Sequence, residues 1–237
     1  MVGFLTLLLS LFTCQTIYAG VALEEGTRIV FSSTEQLKTI HVMNTNNYQV
    51  VVQSWVDDGN LSNTPSNADA PLITKPALFT LEPGETQGIQ LINVDPQALE
   101  KERLYWLNLH ELPPSLAPRE ASLDKLALTM QTQYKVFYRG PETALTHDGI
   151  KQSINVDKEV VNGSYCLIIE NLSSIHLNLS KIETGGRTYK RFNRTVPPRG
   201  TLKLMSSTPL KDNLVMLTVI DDNGAHFDVL KYLERDL

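Results

Sequence analysis

A chain of 237 residues, 42% hydrophobic and 20% charged, has the composition of an ordinary globular protein able to bury a core. Its length suits one or two domains. The formal net charge of −5 gives no general reason to expect nucleic acid as a partner.

Residues 1–19 read as a secretory signal peptide. Phe4 to Phe12 form an apolar core, and Ile17-Tyr18-Ala19 offers a small residue at the cleavage position. The core is too short to span a bilayer as a helix. No Lys or Arg precedes it: either the start is misassigned or the free amino terminus supplies the only positive charge there. Leu11-Phe12-Thr13-Cys14 is a poor lipoprotein box, because Phe12 and Thr13 fit badly before the cysteine. The mature chain is expected to begin near Gly20 and, since the leader carries no charged side chain, to keep the charge of −5. Cleavage removes Cys14 and leaves Cys166 alone. With no internal disulfide available, the fold must stand on its core. Cys166 lies in the apolar run Tyr165-Cys166-Leu167-Ile168-Ile169 and reads as a buried, inert thiol.

After Gly20 the chain reads as short strands separated by turns. The first half offers Val21–Phe31, Lys38–Met43, Gln49–Val56, Ala77–Leu81, Gln87–Val94, Leu104–Leu112 and Leu126–Tyr138. Asn44-Thr45-Asn46-Asn47 and Glu82-Pro83-Gly84-Glu85 are turns, and Asp57–Pro71 is a polar loop. Seven strands without a long helix suit an immunoglobulin-like sandwich. The last of them is long for a strand. In it Leu126, Leu128, Met130, Thr132, Tyr134, Val136 and Tyr138 share one parity. Gly140-Pro141-Glu142-Thr143 then reads as a hinge. A second, smaller sandwich follows: Ile150–Val156, Tyr165–Asn171, Leu177–Ile182, Thr201–Met205, Leu214–Ile220 and Phe227–Tyr232. The expected division is a first domain over 20–140 and a second over 141–237.

Chemistry-bearing patterns are sparse. His41, His110, His147, His176 and His226 show no metal-ligand spacing, so a metal is not expected, and no cofactor is implied. There is no GxSxG, Walker loop or GxGxxG. Glu102 and Glu111 could pair as carboxylates, although nothing in the sequence fixes their separation, and solvated or structural acids are the simpler reading. Arg28 in the first strand and Lys135 in the long strand read, on pattern alone, as strand residues facing water.

Five stretches in order behind the leader resemble the periplasmic pilus (fimbrial) chaperone family, over nearly all of the mature chain. They are Gly26-Thr27-Arg28-Ile29-Val30-Phe31, Gln53-Ser54-Trp55-Val56, Pro76 to Gly84 (PALFTLEPG), Glu102 to Pro114 (ERLYWLNLHELPP) and Gln133 to Arg139 (QYKVFYR). The resemblance implies two immunoglobulin-like β-sandwich domains in an L-shaped arrangement with a cleft between them. It implies that Arg28 and Lys135 anchor the C-terminal carboxylate of a pilus subunit. It also implies that Leu126, Leu128 and Met130 fill the groove of a subunit lacking its last strand, by donor-strand complementation. Glu102, Arg139 and Asp222 match a buried ionic network between the domains. The implied partners are pilus subunits and an outer-membrane usher; the implied place is the periplasm; the implied role is not enzymatic. An exposed apolar strand edge is a self-association hazard, so some protection of the free protein, such as a self-capping homodimer, is expected.

Lys135 and Met130 have opposite parities, which leads us to expect a bulge or strong twist between them. Arg139 is followed by Gly140-Pro141 where the family usually has proline at once, so a looser hinge is expected. The Ser115–Leu123 loop has no cysteine, which favours the short-loop branch serving rod-like pili. The runner-up reading is an exported two-domain immunoglobulin-like structural or adhesive protein without chaperone activity. It would need neither the cleft cations nor a free edge at Leu126–Met130.

Overall fold

The computed structural model describes residues 20–112, 129–141, 145–161, 164–189, 192, 194–206 and 213–233. Leu126, Leu128 and the Ser115–Leu123 loop lie outside them. Described residues before the hinge form β1 (Val21–Leu23), β2 (Arg28–Ser32), β3 (Leu37–Asn44), β4 (Val50–Asp57), β5 (Leu72–Lys75), β6 (Leu78–Leu81), β7 (Thr86–Asn93), β8 (Arg103–Leu112) and β9 (Met130–Arg139). After it come α1 (His147–Gln152), β10 (Ile154–Val161), β11 (Ser164–Asn171), β12 (Leu177–Thr184), β13 (Arg187–Tyr189), β14 (Thr195–Val196), β15 (Thr201–Ser206), β16 (Leu214–Ile220) and β17 (His226–Tyr232).

The first half packs two sheets face to face, in strand orders β1-β3-β7-β5 and β2-β9-β8-β4-β6. Alternation supplies the core. Ile40 and Val42 of β3 and Ile89 and Leu91 of β7 meet Val50, Val52, Leu107, Leu109, Val136 and Tyr138 of the facing sheet, all essentially inaccessible to water. The expected strand Val21–Phe31 is in fact two. Glu24 to Thr27 carry the chain from one sheet to the other, with Gly26 at φ +106°. β1 therefore pairs antiparallel with β3, while β2 pairs parallel with β9. Such a switch is how sandwich corners are made.

No bulge interrupts β9. Its register with β8 runs unbroken from Arg103↔Tyr138 to Glu111↔Met130, against the expectation above. Met130 and Lys135 lie on opposite faces of one regular strand. Tyr134, Val136 and Tyr138 pack on the first core, and Lys135, Phe137 and Arg139 face the other way, as period-2 geometry requires.

In the second half the sheets run β10-β11-β15 and β13-β12-β16-β17, with β14 on β12. Their separate core includes Ile154, Val156, Leu167, Ile169, Leu179, Leu217 and Val229. The expected strand from Ile150 begins instead as α1. Thr146 caps it, accepting from Gly149 N at 3.1 Å, and Asp148 lies in its first turn. Gly185 and Gly186, at φ +59° and +71°, supply the two left-handed residues of the tight turn between β12 and β13.

Each half is closed by a buried asparagine at a strand end. The Asn44 side-chain amide donates to the carbonyls of Tyr48, Leu81 and Glu82 at 2.9–3.1 Å. Asn171 does the same for Ile175, Val196 and Pro197 at 2.7–3.2 Å. Each carbonyl Oδ1 accepts a main-chain N–H two residues on. Losing the amide strands buried acceptors, at about 1–3 kcal/mol each. Asn44→Ala is expected to cost about 2–4 kcal/mol, read as a lower urea midpoint with the fluorescence of Trp55 and Trp106 as probe.

Candidate functional site

Arg28 and Lys135 are direct partners across the parallel β2/β9 pair. Their strand neighbours Ile29 and Val136 are in the first core. Both cations therefore point away from that core, toward the second half. Lys135 Nζ donates to Thr195 Oγ1 of β14 and lies 3.4 Å from Asn178 Oδ1 of β12. It sits 5.6 Å from the centroid of the Trp106 ring. Arg28 Nη1 donates to the carbonyls of Asp221 (2.9 Å) and Ile220 (3.4 Å), with its guanidinium 6.0 Å from the Phe137 ring centroid. Arg28 Nε is buried without a hydrogen-bond partner.

Among the described residues neither cation has an ion-pair partner within 4 Å: their hydrogen-bond partners are neutral hydroxyl, amide and carbonyl oxygens. Burial pushes the Lys135 ammonium below the ordinary lysine value, and the Arg28 charge adds to the same shift. Burial also lowers Arg28, with Asp222 and Asp221 pulling the other way. The sign follows for stability. A base depressed in the folded state costs stability while protonated, so that cost fades as pH rises through its lowered value. A bound anion acts oppositely, because it favours the charged form. The two cations line neighbouring depressions. Lys135 shares one with Leu104, Trp106, His176, Arg194, Thr195 and Pro197, and Arg28 shares another with Glu25, Lys38 and Asp222.

The same pair of residues marks a boundary on the sheet. β2 covers β9 only from Lys135 to Arg139. Among the described residues, Met130–Tyr134 has β8 on one side and no strand on the other. Met130 begins that open stretch, 43% exposed, on the face that continues the core row.

Glu102, Arg139 and Asp222 come together. Arg139 Nε donates to Glu102 Oε2 at 2.5 Å, and its two terminal nitrogens grip Asp222 at 2.6 and 3.0 Å. Burial alone would lower the Arg139 guanidinium; the Asp222 and Glu102 carboxylates outweigh it and raise it above the ordinary value. Sequence reasoning missed a fourth member, His176. Its main-chain N–H and Nδ1 reach Glu102 Oε1 at 2.7 and 2.8 Å, and Glu102 N donates to Ser174 O at 2.8 Å. No spacing signals this contact, since the partners are 74 residues apart. Gly140 is closely packed: a Cβ there would lie 1.9 Å from the carbonyl oxygen of Leu99. Glu102 and Glu111 are not a pair. They stand at opposite ends of β8, roughly 30 Å apart by strand rise.

Two packed β-sandwiches, a cationic pair at the end of a short parallel ladder and an open strand edge beyond it narrow the choice of family. Residues 20–144, more than half of the chain, match the family model described as "Pili and flagellar-assembly chaperone, PapD N-terminal domain". The chain belongs to this family of assembly chaperones. It is not a family of enzymes. The chain is 27% identical over 229 residues to "Chaperone protein LpfB" of Salmonella typhimurium, covering 94% of this chain and 93% of the relative. It is 26% identical over 213 residues to "Chaperone protein MrkB" of Klebsiella pneumoniae, covering 88% and 89%. Its fold is that of the SafB chaperone solved in complex with the SafA pilin of Salmonella enterica: TM-score 0.73 at 23% identity, covering 91% of this chain and 97% of that one. The alternative of a merely structural or adhesive protein is not favoured beside this membership.

The ionic network is graded by burial. Arg139 and Glu102 side chains are 7% and 0% exposed, whereas Asp222 is 49% exposed. Arg139→Ala leaves the buried Glu102 carboxylate without its guanidinium partner and is expected to cost about 3–5 kcal/mol. Asp222→Asn, at the wet end, is expected to cost under about 1 kcal/mol. Equilibrium denaturation of both variants checks the ordering.

Proposed function

We propose that this chaperone works in the periplasm, captures pilus subunits by lending them the open edge of β9, and passes them to an outer-membrane usher. The observation that carries the reading is where β2 stops. A partner strand can take over β2's line beside Met130–Tyr134 and end where β2 begins, at Arg28 and Lys135. With its carboxylate there and its body running back past Met130, that strand lies parallel to β9. Two cations without an ion-pair partner then meet a terminal carboxylate with charge-assisted hydrogen bonds. Family membership and the fold shared with a chaperone solved on a pilin support the same reading.

In this reading the first domain spans 20–140 and the second 141–237. Leu126, Leu128 and Met130 fill the subunit's groove, each worth up to about 1.5–3 kcal/mol on burial. Main-chain hydrogen bonds add about 0.5–1.5 kcal/mol net apiece. The anchor sets register, because a one-residue slip would turn the whole apolar row away. The network of Glu102, Arg139, Asp222 and His176 fixes the cleft angle rather than adding net stability. The free protein shields the open edge by pairing with a second copy. No cofactor takes part; subunit folding and the exchange to the next subunit drive the process.

The test is periplasmic co-expression with candidate subunits followed by pull-down. Arg28→Ala and Lys135→Ala are each expected to reduce capture at least about tenfold, the loss of one charged hydrogen bond, with unchanged circular dichroism and no collapse of the thermal midpoint. Wild-type yields of subunit with both variants would remove the anchor from the mechanism. Leu128→Glu is expected to weaken capture while the chaperone stays folded. A collapsed thermal midpoint for that variant would instead make Leu128 ordinary core.

A further inference from the structure

Glu102 has a guanidinium partner; Glu111, at the far end of β8, has no cation partner among the described residues. Yet Glu111 is only 5% exposed. Its Oε1 accepts from Val21 N at 2.7 Å and its Oε2 from Asn46 Nδ2 at 3.2 Å. Asn46 Oδ1 in turn accepts from Gly20 N at 2.8 Å. The Gly20 carbonyl is held by Thr45, from its main-chain N–H at 2.9 Å and its hydroxyl at 2.7 Å. Gly20 is itself buried. A carboxylate held by neutral donors alone remains an uncompensated buried charge, which is costly.

The missing positive charge has a source at that spot. Gly20 is the residue at which the mature chain is expected to begin. As a peptide nitrogen, Gly20 N carries one hydrogen and no charge. As a chain terminus it carries three hydrogens and one positive charge. We propose that the leader is cut between Ala19 and Gly20, and that the Gly20 α-ammonium so formed is the counter-ion of Glu111. The cut breaks the Ala19–Gly20 C–N bond. Water supplies hydroxyl to the Ala19 carbonyl carbon and hydrogen to Gly20 N, which takes up one further proton at neutral pH. Asn46 bridges the resulting pair, donating to Glu111 and accepting from Gly20.

The lock sits on the partner-binding edge. Glu111 pairs with Met130 across β8 and β9. A Cβ on Gly20 would lie 2.7 Å from Met130 Cε, so the chain passes close against Met130 here. Processing thereby fastens β1 beneath the first residue of the open edge. The inference rests on the export reading above, but not on subunit capture.

An α-amine ordinarily titrates near 7.7–8.0; pairing with Glu111 raises it. The stability it adds is fully present below about pH 8 and is lost as pH rises through the raised value. Among the described residues the other titratable group in contact is Tyr134, whose hydroxyl reaches Val21 O at 3.4 Å. Glu82 and Glu85 approach Asn44 only through main-chain carbonyls.

The experiment compares the chain beginning at Gly20 with the chain retaining Ala19 as a one-residue extension, each with and without Glu111→Gln. At pH 7 the extension is expected to lower the thermal midpoint by about 3–6 °C. The gap should close as pH rises, and shrink to under about 1 °C in the Glu111→Gln background. Equal midpoints for the two chains, or a gap indifferent to Glu111→Gln, would overturn the pair. NMR titration of a labelled Gly20 keeps the test decisive if Glu111→Gln fails to fold. A pKa above about 8 supports the pair, and an ordinary value overturns it. Intact mass of the periplasmic protein reads the cut directly, and a chain beginning elsewhere would overturn that half. Loss of subunit capture with this pattern intact would count against the proposed function alone.

Discussion

One strand cannot hydrogen-bond to two sheets at once, and the site is built on that constraint. The chain spends Val21–Leu23 on the edge of one sheet and Arg28–Ser32 on the edge of the other. The crossing at Glu24–Thr27 leaves β9 covered by β2 over its second half only. Had the first strand stayed with β9 throughout, the edge at Met130–Tyr134 would be sealed. Unpaired strand edges are normally blunted. Here the edge opens at the point where two cations stand side by side.

The two faces of β9 divide the labour. The core face runs from Tyr138 through Val136 and Tyr134 to Met130, passing from fully buried to exposed along one regular strand. A partner meeting that row, as proposed, would extend a hydrophobic core that already exists. The opposite face carries Lys135, Phe137 and Arg139 into contact with the second half. There Thr195 and Asn178 hold the ammonium, His176 lies against Phe137, and Asp222 grips Arg139. Lys135 and the residues that meet the second half are thus neighbours on one strand face, so a change in how the halves meet moves Lys135 with it. The ion pair at Glu102 is dry and the one at Asp222 is wet, which places the rigid part of the contact next to the β8/β9 ladder.

The strands were legible because period-2 alternation is a local property. β3, β4, β7, β8, β11, β16 and β17 begin and end within two residues of where alternation and turn residues put them. Errors came where a local signal had two outlets. Val21–Phe31 looked continuous because the polar break at Glu24–Thr27 resembles one more pair of outward residues. Ile150–Gln152 looked like strand until the Thr146 cap and the acidic first turn were set against it. The bulge expected between Met130 and Lys135 rested on treating anchor and apolar row as residues of one face; the sheet needs them on two.

The sequence by itself determined an all-β chain in two halves, the apolar row of the long strand and, through family resemblance, the residues worth watching. Only the tertiary structure decided which edge of that strand stays open and that Gly140 is packed against Leu99. It alone brought His176 to Glu102 and laid Gly20 and Val21 against Asn46 and Glu111. The physical reason is range. Alternation, caps and turns act between residues a few positions apart. An ion pair or a strand edge is settled by residues 74 or 90 positions away, which meet only when two sheets have packed.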